Sequence, residues 1–310
     1  VSEDPRQNIG WRQAIWARIR GTHAPHKLEC DANGSLYTVS GAADGALGYV
    51  GLIDEGGAAY GVRHSENRPV TVAVSHGEVI AEGNLVGHIP RRRFGHNPDV
   101  ADALETVYHP SNLKTWLAAA ERLQVASNDA DDDGAPAGNG ARTLTITGLD
   151  ANYDPLVETV TMNGVANVLT DESFLRVFTI AVATAGTTGY NEGTITISNN
   201  ADTIILEQID PRENESHCAC YTVPAGFTAY ITQAMATEAS NKGSEFGFWI
   251  RTFGGLWTQK RAIVLLDSVI VLPMTVPMKF PEKTDIEIRA QGILAGSIVT
   301  AGFEGWIEAN

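Results

Sequence analysis

From Gly140 to Gly164 the chain reads GARTLTITGLDANYDPLVETVTMNG. Thr143, Thr145 and Thr147 alternate with Leu144 and Ile146; after a turn, Val157, Thr159 and Thr161 alternate with Glu158, Val160 and Met162. Such alternation, rich in β-branched residues, sets one group of side chains on each face of an extended strand. It predicts a strand, a turn and a second strand. Similar signals recur at short intervals, over 142–147, 156–162, 174–184, 193–198, 203–209, 217–223, 227–236, 245–252, 261–271, 284–291 and 297–308. Many short strands separated by turn residues predict a mainly β chain built as an antiparallel β-sandwich or jelly roll. Pro273, Pro277 and Pro281 cannot donate to a central ladder, so their segment belongs at a sheet edge or a crossing between sheets.

The first third is patterned differently. Trp11, Ile15 and Ile19 recur at spacing four beside Arg12, Arg18 and Arg20, which predicts a short amphipathic helix, packed on its own domain or used as a docking arm. His26–Cys30 and Ser35–Val39 flank an Asp-Ala-Asn-Gly turn, and Arg68–Val74 reads as a further strand. Residues 79–84 start another hairpin, and the glycine-rich run from Gly41 to Gly61 reads as loop. Residues 91–100 form a basic, then turn-forming, linker. Behind Pro110-Ser111, the run NLKTWLAAAERL at 112–123 has helix-forming composition, and 123–127 reads as a strand. The expected organisation is a small β-rich region with an arm over 1–93 and a β-sandwich over 94–310.

Composition narrows the function classes. The chain has 310 residues, 43% hydrophobic and 19% charged, as in a folded protein. Its formal net charge of -15 argues against nucleic acid as the main partner, since phosphate neutralisation requires Lys and Arg. No run approaches the roughly 18 apolar residues of a membrane helix. The first residues, VSEDPRQNIGW, do not read as a signal peptide. With three irregularly spaced cysteines, Cys30, Cys218 and Cys220, this implies synthesis in a reducing cytoplasm.

Candidate chemistry is sparse. Asp129, Asp131 and Asp133 before Gly134 match the opening of a calcium loop, but its twelfth position holds Gly140 where a bidentate carboxylate is required, so a solvated acidic loop is expected. Cys218 and Cys220 share a strand face and read as buried core thiols. Asp150 with Asp154 is a carboxylate pair of the kind a glycan-cleaving enzyme uses, and equally of the kind surface turns display. No hydrolase elbow, zinc-protease helix or phosphate loop occurs, so no catalytic, cofactor or metal residue is assigned. Interface candidates are Trp11, Ile15 and Ile19 in the arm, Arg91, Arg92 and Arg93 as an anchor for an acidic patch, and Trp249, Phe253 and Trp257, whose aromatic cluster lies opposite Phe246 and Phe248.

A resemblance spans about 94–309. FGHNPDV (94–100), LETVY (104–108), the 140–164 stretch, FLRVFTIAV (174–182), NEGTITI (191–197), YTVPAGFTAYIT (221–232), RTFGG (251–255), FPEKTDIEIRA (280–290) and AGFEGWIEA (301–309) follow in that order. Together they resemble tailed-bacteriophage virion structural proteins. The resemblance implies a β-sandwich attached to a capsid or tail, most simply a capsid decoration or cement protein. It would be made in the host cytoplasm and incorporated into the virion, bind the major capsid protein or other virion proteins, and form a homo-oligomer, with a trimer favoured. It carries no catalytic residue. A tail adaptor or receptor-binding fibre, and a glycan-degrading spike enzyme, are the competing expectations.

Overall fold

The structure is a computed structural model that describes residues 76–310 and, before them, the backbone of six short strands. The chain divides into two compact units, residues 1–84 and 85–310. The boundary expected at residue 93 therefore falls inside a strand of the second unit. The mainly β, antiparallel expectation holds.

In the first unit, β1 (Trp16–Ala17), β2 (His26–Cys30) and β3 (Leu36–Thr38) form one sheet, and β4 (Val50–Ile53), β5 (Ala59–Ser65) and β6 (Arg68–Val72) another. β2 and β3 pair antiparallel, from Leu28–Thr38 to Cys30–Leu36, as the sequence predicts; the Asp-Ala-Asn-Gly run lies outside the described residues. Three expectations are corrected. Trp16 and Ala17 pair with Lys27 and His26, so no continuous helix runs through them; Trp11, Ile15 and Ile19 lie outside the described residues. The glycine-rich run contains β4 and the start of β5. Residues 79–84 form no hairpin, because helix α1 spans His76–Ala81 and Gly83, with a positive φ of 71°, closes it.

The second unit contains four sheets arranged as a propeller-like ring. The opening stretch forms β10 (Ala141–Leu149) and β11 (Pro155–Thr161), paired from Thr143–Thr161 to Leu149–Pro155, with β13 (Arg176–Ala185) on the other side of β10. A second sheet runs β12 (Val168–Leu169), β9 (Gln124–Ser127), β14 (Ile195–Ser198) and β15 (Ile205–Ile209). The alternate apolar residues of these two sheets, including Leu144, Ile146, Val125, Ile197 and Ile209, share one core.

The other two sheets share a second core. One runs β20 (Ser268–Phe280), β17 (Phe227–Glu238), β22 (Ser297–Ala309) and β7 (His88–Val100). The other runs β16 (Cys220–Thr222), β21 (Asp285–Gly292), β18 (Ser244–Arg251) and β19 (Thr258–Leu265), with β8 (Glu105–Thr106) also paired to β21. Ile231, Phe303 and Phe280 meet Phe248, Ile286 and Ile288 between them. Pro273 and Pro277 lie on the edge strand β20, where missing donors are tolerated. The single strand expected over 261–271 divides into β19 and β20, with Asp267 at a positive φ of 41° in the turn between them.

Residues 91–100 are no linker: they are most of β7, paired along β22 from Glu308 to Ser297. Pro98 sits at the register shift in that ladder, where no donor is required. Gly95 is required there, because a Cβ on it would lie 1.8 Å from the Val107 carbonyl oxygen. The helix expected over 112–123 is also absent. That segment runs irregularly, its only ladder contact an isolated bridge from Glu121 to Phe174. Tertiary contacts override its helix propensity: Lys114 is buried against Glu207, Trp116 donates to Glu287, and the Leu117 carbonyl accepts from Arg176.

Candidate functional site

The alternation of β21 organises the most elaborate polar site of the second unit. Ile286, Ile288 and Ala290 point into the core, which turns Asp285, Glu287 and Arg289 to the opposite face. That face is buried as well, because the 112–123 segment and β13 cover it. Asp285 accepts from Arg176 at 3.0 and 3.3 Å, from Arg251 at 2.9 and 2.6 Å and from the Thr222 hydroxyl at 2.6 Å. Glu287 accepts from the Trp116 indole at 3.1 Å, from Arg289 at 3.1 Å and from the Thr106 hydroxyl. Beside this network, Lys114 reaches Glu207 and the Leu206 carbonyl, 2.6 Å away.

Cations and rings alternate along this face. Arg289 lies 4.9 Å from the centre of Trp249 and 4.5 Å from Trp257. Arg251 lies 4.9 Å from Trp257 and 5.8 Å from Trp116. Arg176 sits between Trp116 and Tyr153, and Lys283 between Tyr153 and Phe253. A desolvated cation over a ring is worth about 2 kcal/mol, and the carboxylates beneath fix each guanidinium in place. The three aromatic candidates Trp249, Phe253 and Trp257 are thus brought together in one ladder. Phe246 and Phe248 do face the core, opposite Trp249. The ladder itself engages Trp249 and Trp257, which are half-buried, whereas Phe253 is 66% exposed at its outer end, near Leu256 at 87%. Sequence reasoning missed Asp285, Arg176 and Trp116; the D-x-E-x-R alternation in TDIEIRA was the available signal.

The arginine triplet is divided by the strand period. Arg91 donates to the Tyr221 hydroxyl at 3.1 Å, and Arg93 stacks over Phe178 and Tyr221 while donating to Thr179. Burial lowers the Arg93 pKa and raises that of Tyr221. Arg92, on the opposite face, is exposed. The three therefore do not form one basic surface. Arg92→Ala should change stability by less than about 0.5 kcal/mol, whereas Arg93→Ala should cost about 1–3 kcal/mol through lost stacking and packing. Urea denaturation of the two variants checks this, and equal midpoints would contradict the division.

The acidic loop is closed on itself. Asp129 and Asp133 each accept a backbone N–H two residues on, from Asp131 and Ala135. Buried Asp132, absent from the calcium pattern's ligand positions, accepts from the Ser127 hydroxyl and from the N–H groups of Ala141, Glu192 and Gly193. Asp150 likewise accepts from Asn152 and Asp154 in an Asx turn. Cys218 and Cys220 are buried together beside Tyr108, and burial pushes both thiols up, the direction of inert core cysteines.

Opposite the cysteines in the alternation, His217 meets His109. His109 Nδ1 lies 3.2 Å from Asp210, His109 Nε2 lies 3.4 Å from Glu213, and His217 Nδ1 lies 3.4 Å from the same Glu213 oxygen. Burial opposes charge on His109, but the Asp210 and Glu213 carboxylates outweigh it and raise its pKa. Burial and the His109 charge lower the pKa of both His217 and His96. His109 and His217 were not singled out in the sequence because 108 residues separate them.

No protein-family model matches the chain, and no curated protein does. Among solved structures, the infectious bursal disease virus Gt strain aligns at 10% identity over 82% of this chain and 73% of that one, with a TM-score of 0.10. A mutant VP2 protein of the same virus, in derived particles, aligns at 8% identity over 92% and 70%, with a TM-score of 0.10. Likenesses at this level carry neither fold nor function to this chain.

Proposed function

We propose that the chain is a non-enzymatic structural protein of a tailed-phage particle, a capsid decoration or cement protein that binds the major capsid protein and associates as a homotrimer. In this reading the two sheets sharing the larger core are the β-sandwich, and the exposed edge of that sandwich meets a second copy. The motif order along 94–309 supports the particle. The observation that carries the assembly role is the consecutive strand pair β19 and β20, which edge two different sheets.

Both strands are sheet edges. Val264, Val269, Val271 and Val276 project from them, and Leu266 from the connection between, with 52–80% exposure. Between the edges opens an apolar cleft of about 390 Å³, lined by residues that include Phe248, Ile263, Ile270 and Met274. Unpaired edges bearing contiguous apolar side chains are where chains associate. A copy packed there would bury this surface and be repeated by closed symmetry. The added interface would stabilise the shell by mass action.

Stoichiometry of the chain in purified particles tests the reading. Hundreds of copies per particle are expected for a decoration protein. A dozen or fewer would assign it to the tail, and absence from the particle would overturn the proposal. Val269→Glu with Val271→Glu should convert the trimer to monomer in sedimentation. A wild-type monomer at particle-like concentration would remove the trimer.

A further inference from the structure

We infer that His109, Glu213 and His217 form a binding site for a transition-metal dication, with zinc as the best-fitting ion. Their ligand atoms lie within 4.8 Å of one another. At metal–ligand distances of about 2.0–2.1 Å, neighbouring ligands of a tetrahedral zinc ion stand roughly 3.3–3.4 Å apart. The Glu213 oxygen is 3.4 Å from His109 Nε2 and 3.4 Å from His217 Nδ1. Two edges of such a tetrahedron are therefore already in place.

A second observation points to a ligand. The His109 side chain is 1% exposed, and each of its ring nitrogens faces a carboxylate, Nδ1 at 3.2 Å from Asp210 and Nε2 at 3.4 Å from Glu213. With Asp210 on Nδ1, a dication on Nε2 would coordinate the second buried nitrogen and balance the two carboxylates that converge on this ring. Asp210, 3.2 Å from Nδ1, stands where the carboxylate of a carboxylate–histidine–metal arrangement orients the ring. Phe94, with its ring centre 4.7 Å from that of His217, packs the second imidazole in place.

The donor set selects the ion. Two imidazoles and one carboxylate suit zinc and its neighbours, whereas calcium and magnesium require oxygen ligands. The His217 and Glu213 side chains are 21% and 32% exposed, which gives the ion an entry path and leaves a fourth position for water. The cysteines take no part, since Cys218 and Cys220 face the opposite side of the strand. The site does not depend on the particle assignment.

The test uses the full chain, stripped with EDTA and re-equilibrated with zinc chloride. One equivalent of zinc retained after gel filtration is expected, together with a rise in thermal midpoint that calcium chloride does not reproduce. Cobalt(II) should give the visible absorption of a four-coordinate N/O site. His217→Ala and Glu213→Gln, both at part-exposed positions, should each weaken zinc binding at least tenfold. Asp210→Asn should weaken it roughly 10–100-fold. Metal-free midpoints of the variants show whether each has folded; if one has not, the other decides. Wild-type protein that retains no zinc, or folded variants that bind it as tightly as wild type, would overturn the site.

Discussion

Asp285→Ala should lower the stability of the second unit by about 3–5 kcal/mol, the cost of leaving a buried charge without its partner. Asp285 is the shared acceptor of two guanidiniums. Arg176 has a side-chain exposure of 6% and Asp285 of 4%, so water cannot replace the carboxylate. Without it, Arg176 keeps the Leu117 and Leu175 carbonyls, and Arg251 keeps the Trp116 and Trp257 rings. The ladder Trp257–Arg251–Trp116–Arg176–Tyr153 should loosen with it. The measurements are the denaturant midpoint and the tryptophan emission, which should shift red as Trp116 and Trp257 become wetter. An Asp285→Ala protein within about 1 kcal/mol of wild type would mean that the network is hydrated in solution.

Glu207→Ala should have a comparable effect at the neighbouring site, again about 3–5 kcal/mol. The Lys114 and Glu207 side chains are 4% and 1% exposed, and the carboxylate is the acid paired with the ammonium. Lys114 would keep the Leu206 carbonyl, which satisfies one donor of three, and the face of Tyr108, 5.3 Å away. Pairing Glu207→Leu with Lys114→Met should recover most of the loss, because an apolar pair of similar volume needs no partner. The double-mutant cycle is the measurement that separates charge pairing from packing. A double variant as unstable as the sum of the singles would assign the effect to packing alone.

Both predictions concern a site that the sequence shows only in part. TDIEIRA announces a strand through its alternation, and its apolar half through Ile286 and Ile288. Its polar half reads as a solvent face, since D-x-E-x-R is what an exposed strand face also looks like. What buries it comes from 112–123 and from β13, far away in sequence: Arg176 and Asp285 are 109 residues apart, and Trp116 and Glu287 are 171 apart. The 112–123 run carries strong helix formers, Leu117, Ala118, Ala119 and Ala120, and local propensity favours a helix. The competing tertiary contacts of Lys114 and Trp116 decide otherwise. The Arg91–Arg93 triplet shows the same effect in miniature: three adjacent charges suggest one basic patch, and the two-residue strand period sends Arg92 away from the other two.

The sequence by itself determined the secondary structure of most of the second unit. The Thr–Leu–Thr–Ile alternation of 140–164 became β10 and β11 in the expected hairpin, and Pro273 and Pro277 marked β20 as an edge. These features are local: side-chain alternation and missing proline donors act within a few residues. Only the tertiary structure decided which polar residues were buried, which cations lay over which rings, and that His109 met His217. Those outcomes depend on contacts between distant segments, for which the one-dimensional pattern carries no term.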